Sequence, residues 1–136
     1  MKEITLEATI QNIAAATEFI DTELEQTGCS TKVRFQIDMA IDELYTNVAS
    51  YAYPSGKGDL TVRFEADKAS RTIRVTFEDR GIPYNPLEKE DPDVTLPAEK
   101  RQIGGLGIFM VKKMMDGMYY EYKDGKNILT IEKKIG

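Results

Sequence analysis

Apolar and polar residues alternate near the start of the chain. Ile4, Leu6, Ala8 and Ile10 alternate with Glu3, Thr5, Glu7 and Thr9. A period of two puts the apolar set on one side and predicts a strand with one buried face. From Asn12 the period lengthens. Ile13, Ala16, Ile20 and Leu24 predict a helix that stops at Gly28. Ser30 or Thr31 can cap a second helix, with Val33, Ile37, Ile41, Leu44, Val48 and Tyr51 on its apolar side. That helix should end by Tyr53, because Pro54 disfavours helical backbone in the residue before it. Leu60, Val62 and Phe64 alternate, and so do Ile73, Val75 and Phe77, which predicts two strands with a turn over Asp67 to Ser70. Residues 80–103 hold four of the five prolines and many charges. They read as a long loop with at most a short helical turn, and loops of that length are usually functional or disordered. Three glycines then lead into an apolar helix that runs to about Met115. The stretch from Met118 to Lys134 predicts a hairpin turning at Asp124-Gly125. The order β-α-α-β-β-loop-α-β-β predicts a two-layer α/β sandwich: a mixed, mostly antiparallel sheet with three helices on one face.

A length of 136 residues predicts one domain over the whole chain. The net charge is −5 and no basic run is longer than a pair such as Lys112–Lys113. Direct nucleic-acid binding needs a clustered basic face, so no such partner is expected. No stretch approaches the roughly 20 apolar residues of a membrane span, and "MKEITLEATI" lacks the features of a signal peptide. The single cysteine, Cys29, excludes an internal disulfide. The expectation is a soluble cytoplasmic domain with no membrane partner. The chain has no histidine. That excludes Ser-His-Asp and Cys-His catalysis and, with one cysteine, an ordinary structural zinc site. Chemistry is left to carboxylates, amides, hydroxyls, lysines and backbone groups.

Three places break the pattern in ways that suggest chemistry. Glu43 and Asn47 lie four apart, on the shoulder of the second helix's apolar stripe. A carboxylate there can act as a general base and an amide oxygen can ligate Mg²⁺. The alternative is a solvated i,i+4 pair. Asp79 continues the row Ile73, Val75, Phe77, where a carboxylate is costly unless paired. The alternative is that the strand ends at Glu78 and Asp79 begins a turn. In "QIGGLGIFMVKKMMD", Gly104, Gly105 and Gly107 stand directly before or within the start of a helix. Glycines allow close backbone approach, and the first helical N–H groups are unpaired, so the pair of features suits a phosphate. The alternative is an ordinary loop and helix start. Neither a Walker A loop nor a dinucleotide G-x-G-x-x-G at the first strand is present.

Taken in order, helical E-x-x-x-N, strand-ending D-x-G, a proline-rich loop, then G-G-x-G and a helix resemble the GHKL ATPase superfamily, the Bergerat-fold ATP-binding domains. "DRGIPYNPL" followed by "IGGLGIFMVKKMMD" is similar to the anti-sigma factor serine/threonine-protein kinases within it. The resemblance implies a histidine kinase-like ATPase fold that uses ATP and Mg²⁺. It implies that Asn47 ligates the metal and that Glu43 is the catalytic base. Asp79 would accept a hydrogen bond from the adenine amino group, with Gly81 shaping the turn beneath the base. Gly104, Gly105, Leu106 and Gly107 would face the phosphates, behind an ATP lid at about 82–103. The implied partners are a sigma factor, a STAS-domain anti-sigma factor antagonist that receives the phosphate, or both, with a homodimer also implied and the strand at Ile4 to Ile10 a guess for its interface. The rival expectation is a non-catalytic ATP- or ADP-binding module that sequesters a regulatory protein. A third is a switch protein that activates a phosphatase by contact. Pro83 replaces the second glycine of the fuller D-x-G-x-G pattern. With no histidine to receive phosphate, the chain is not a self-contained histidine kinase.

Overall fold

The computed structural model describes residues 1–54, 56–88 and 106–135. The elements are β1 (Lys2–Glu7), α1 (Ile13–Glu25), α2 (Thr31–Tyr51), β2 (Asp59–Asp67), β3 (Thr72–Asp79), α3 (Leu106–Met114), β4 (Gly117–Lys123) and β5 (Lys126–Lys134). Short 3-10 turns occupy Ile10–Asn12 and Pro86–Glu88. The strands form one sheet in the order β1-β2-β3-β5-β4. Every pairing is antiparallel, as most were expected to be; the parallel pairing that would make the sheet mixed does not occur among the described residues. The reason lies in the connections. Two helices between β1 and β2 bring the chain back in the opposite direction. One helix between β3 and β4 makes those two strands point the same way, but β5 folds back between them and pairs antiparallel with both.

The period-two rows of the strands meet the period-3.6 stripes of the helices in one core. Leu60, Val62, Phe64, Ile73, Val75, Phe77, Leu129 and Ile131 lie beneath Ala16, Ile20, Leu24, Ile37, Ile41, Leu44, Ile108 and Val111. The opposite face of the sheet is polar. Arg63 bridges Glu3 and Glu78 at 2.8 Å each, and Thr5 pairs with Thr61 across β1 and β2. Ion pairs on a solvated face contribute roughly 0–1 kcal/mol each, so the burial on the helical side supplies most of the stability. The helix cap expected at Ser30 is present, its Oγ accepting from the Val33 N–H at 3.2 Å. The hairpin turns at Asp124 and Gly125 with φ of 55° and 75°, the paired positive values of a two-residue type I′ turn.

Three expected positions are corrected. β1 stops at Glu7, not Ile10, and Ile10 is 55% exposed in the 3-10 turn that follows. The Glu7 carbonyl accepts from the Thr9 N–H, the Asn12 amide and the Tyr45 hydroxyl, which turns the chain toward α1. Tyr45, absent from the expected apolar set, is fully buried, with its hydroxyl satisfied by that same carbonyl. Tyr51, expected in the core, is half exposed near the end of α2.

At the α1–α2 contact, Asp38 is pushed up to about 7, first by burial and then by its hydrogen bond to and the charge of Asp21, against the opposing pull of Arg34. Among the described residues Oδ1 of each aspartate is buried without a donor, so a proton shared between the carboxyls relieves both. A raised folded-state value means that the stability this group contributes is full below the ordinary 3.8 and is lost as pH rises through about 7. Asp38→Asn should therefore raise Tm at pH 8, by about 3 °C after allowance for solvent screening, and leave it nearly unchanged at pH 5. Thermal melts at the two pH values measure the difference. An equal change at both would contradict the shared proton.

Candidate functional site

The site begins with two polar residues in the buried rows. Asp79 and Asn127 are opposite one another in the β3–β5 register, and they are 5% and 6% exposed. β3 runs through Asp79, so the reading in which the strand ends at Glu78 does not hold. Asp79 Oδ1 accepts from the Gly81 N–H at 2.8 Å and from the Asn127 Nδ2 at 3.0 Å. Among the described residues Oδ2 takes no hydrogen bond. Burial pushes the Asp79 carboxyl above the ordinary carboxylate range, while Asn127 and the Gly81 N–H pull it back. Asn127 also donates to the Ile82 carbonyl at 2.9 Å and accepts from the Tyr84 N–H at 3.0 Å and the Tyr120 hydroxyl. It thus ties β5 to the loop after β3 and fixes the Asp79 carboxylate at once.

The loop is held from the other side by the residues that follow α2. The Ile82 N–H donates to the Ala52 carbonyl at 2.9 Å, and the Arg80 N–H donates to the Tyr53 hydroxyl at 2.9 Å. A Cβ on residue 81 would lie 2.4 Å from the Ala52 carbonyl oxygen and 2.5 Å from the Ala52 Cβ. Gly81 is therefore required by contact with backbone that cannot move aside.

Asp79 and Asn127 form the floor of a cleft between α2 and the sheet. Asn47, Tyr51, Ile82, Tyr84 and Tyr120 are among its walls, with Phe77 and Leu129 below. The Tyr51 and Tyr84 rings stand 6.2 Å apart between centroids, tilted by 36°. The partial exposure of Tyr51 is thus a cleft wall. A mostly apolar slot with aromatic sides and one carboxylate at its base can hold a flat heterocycle and select it by a hydrogen-bond donor.

Asn47 faces this cleft from α2, and its Nδ2 is buried without a partner among the described residues. Rotating the amide by half a turn puts its oxygen in the same place, so the position can offer either a donor or a metal ligand. Among the described residues no group of three or more carboxylates, histidines and cysteines could hold a metal ion. A Mg²⁺ ion here would rely on Asn47 and on oxygens of a bound ligand, the usual arrangement for Mg²⁺ with phosphates.

Glu43 lies one turn back along α2, roughly 6 Å nearer its N-terminus. Its carboxylate sits against Gly107, in the first turn of α3. A Cβ on residue 107 would come within 2.1 Å of Glu43 Cδ and 2.2 Å of Oε1. The close approach that glycine permits there is to Glu43. The first turn of a helix also favours a negative group.

The fold thus gathers Asn47 and Asp79 around one cleft, holds Gly81 against Ala52 with its N–H on Asp79, and sets Glu43 against Gly107. Leu106 opens α3. Gly104 and Gly105, and positions 89–103 of the expected lid, lie outside the described residues. Asn127 was missed. Its signal was available, because it continues the buried row of Leu129 and Ile131 just as Asp79 continues that of Phe77.

The chain belongs to the histidine kinase-like ATPase domain family, whose model matches residues 6–133. Over 102 residues it is 26% identical to the serine/threonine-protein kinase BtrW of Bordetella bronchiseptica, covering 75% of this chain and 71% of that protein. It is 27% identical over 116 residues to the serine-protein kinase RsbW of Bacillus mycoides, covering 78% and 71%. Among solved structures it is similar to the RsbU and RsbW domains of Rv1364c from Mycobacterium tuberculosis, with a TM-score of 0.67 at 16% identity. That match covers 99% of this chain and 33% of the longer one. The Acinetobacter baumannii histidine kinase AdeS matches with a TM-score of 0.53, also at 16% identity. At those identities the two structures establish the fold alone. No helix among the described residues is long and apolar enough to cross a membrane.

Proposed function

We propose that this chain is an ATP- and Mg²⁺-dependent serine/threonine protein kinase of the anti-sigma factor type, which phosphorylates a STAS-domain antagonist in a partner-switching pathway. A sigma factor would be its other partner, and it would work in the cytoplasm as a homodimer. The observation that carries the reading is the arrangement along α2. The buried Asp79 carboxylate at the floor of the cleft, the Asn47 amide with its buried Nδ2 lacking a partner among the described residues, and the Glu43 carboxylate follow one another toward α3.

Each residue then has a task. Asp79 accepts the hydrogen bond of the adenine 6-amino group. Guanine presents an acceptor there and leaves the carboxylate unpaired, which disfavours GTP. Asn127 holds Asp79 in place, and Tyr51 and Tyr84 flank the base. Asn47 is the side chain that would hold Mg²⁺, which when bound would offset charge on the phosphates. Glu43 takes the proton of the acceptor serine or threonine hydroxyl as that oxygen bonds to the γ-phosphorus and the bond to ADP breaks. Gly104, Gly105, Leu106 and Gly107 are proposed to face the phosphates with their backbone. Calorimetric titration with Mg-ATP, Mg-ADP and Mg-GTP tests the pocket. Binding of both adenine nucleotides, with Mg-GTP at least about 100-fold weaker, is expected. No binding of Mg-ATP to the folded chain would remove the assignment of Asp79, Asn47 and the glycines.

A further inference from the structure

A second depression, separate from the cleft, runs between α2 and α3. Phe35, Met39, Met110 and Met114 provide its apolar surface, and Asp38 and Asp42 stand along one side. Phe35 is 62% exposed and Met110 44%, although large apolar side chains gain from burial. Methionines suit surfaces that adapt to an incoming chain. No lysine or arginine lines the groove among the described residues. Its far end is formed by Glu43 and Gly107, the two residues that meet beside the nucleotide cleft.

We propose that this groove docks the protein that receives the phosphate, through a segment carrying a large apolar residue flanked by lysine or arginine. The proposal rests on the kinase reading. Two observations decide the occupant. The acidic side, with Asp42 exposed and Glu43 at the end, calls for a basic partner. A second copy of this chain would bring the same carboxylates face to face in a two-fold arrangement and is disfavoured. Continuity with Glu43 decides the role. An acceptor hydroxyl must reach Glu43, and a chain that does so from α3's side lies over Met110 and Phe35.

The test uses random twelve-residue peptides displayed on phage and selected against the full chain. Two variants are run in parallel: the double substitution Phe35→Asp with Met110→Glu, and Asp42→Lys. All three positions are exposed and lie outside the proposed nucleotide site, so folding, checked by circular dichroism, and Mg-ATP binding, checked by calorimetry, should persist. Enriched peptides are expected to share an apolar residue beside lysine or arginine, and to bind each variant at least ten-fold more weakly. No enrichment, acidic peptides, or equal affinity for the variants would overturn the docking site while leaving the nucleotide site standing. Failure of the unaltered chain to bind Mg-ATP would instead remove the kinase reading, and with it the role given to the groove.

Discussion

Asp79→Asn should lower the affinity for Mg-ATP by about 100-fold, roughly 2.8 kcal/mol, and leave the fold at least as stable. The substitution keeps size and shape. Its Oδ1 can still accept from the Gly81 N–H and from Asn127, the two bonds that Asp79 makes now. The atom that changes is Oδ2, which becomes an amide donor. An adenine amino group would then meet a donor, and both would lose their partner. Stability responds in the opposite sense. Burial is the largest influence on Asp79 and holds its carboxyl above the ordinary 3.8. Its contribution to stability is therefore full below that value and lost as pH rises through the higher folded-state value. The variant's stability relative to the natural chain should increase between pH 4 and pH 8. Calorimetry gives the affinity, and urea midpoints at the two pH values give the stability. A variant that bound Mg-ATP normally would show that Asp79 does not recognise the base. One less stable at pH 8 than at pH 4, relative to the natural chain, would show that the carboxylate is structural.

Glu43→Gln should cut phosphotransfer by about 1,000-fold while changing the dissociation constant for Mg-ATP by less than about three-fold. Glutamine fills the space against Gly107 but cannot take the acceptor's proton at neutral pH. Gly107→Ala provides the complementary test. It retains Glu43 but drives a methyl group into its carboxylate, so transfer should fall although the base is still present. Single-turnover assays with labelled ATP and a STAS-domain antagonist measure both. Normal transfer by Glu43→Gln would assign the proton to another group. If the natural chain bound ATP and its partner without any transfer, and Glu43→Gln still bound both, the chain would be the nucleotide-dependent sequestering module.

The local patterns by themselves determined most of the elements. Alternation in Leu60, Val62, Phe64 and in Ile73, Val75, Phe77 defines strands because successive side chains of extended backbone point to opposite faces. Ile37, Ile41 and Leu44 define a helix because residues three and four apart share a side. The Asp79 anomaly was legible for the same reason, and Asn127 carries the same mark. The tertiary structure alone decided what these anomalies meet. Asp79 and Asn127 are 48 positions apart and become partners only through the β3–β5 register. That register requires β5 to lie between β3 and β4, which no local period specifies. Gly81 and Gly107 looked like residues chosen for backbone freedom. They are glycines because Ala52, just past the end of α2, and Glu43, on α2, occupy the space a side chain would need. Periodicity follows from the geometry of a few consecutive residues, whereas space at a contact depends on elements that the chain brings together from far apart.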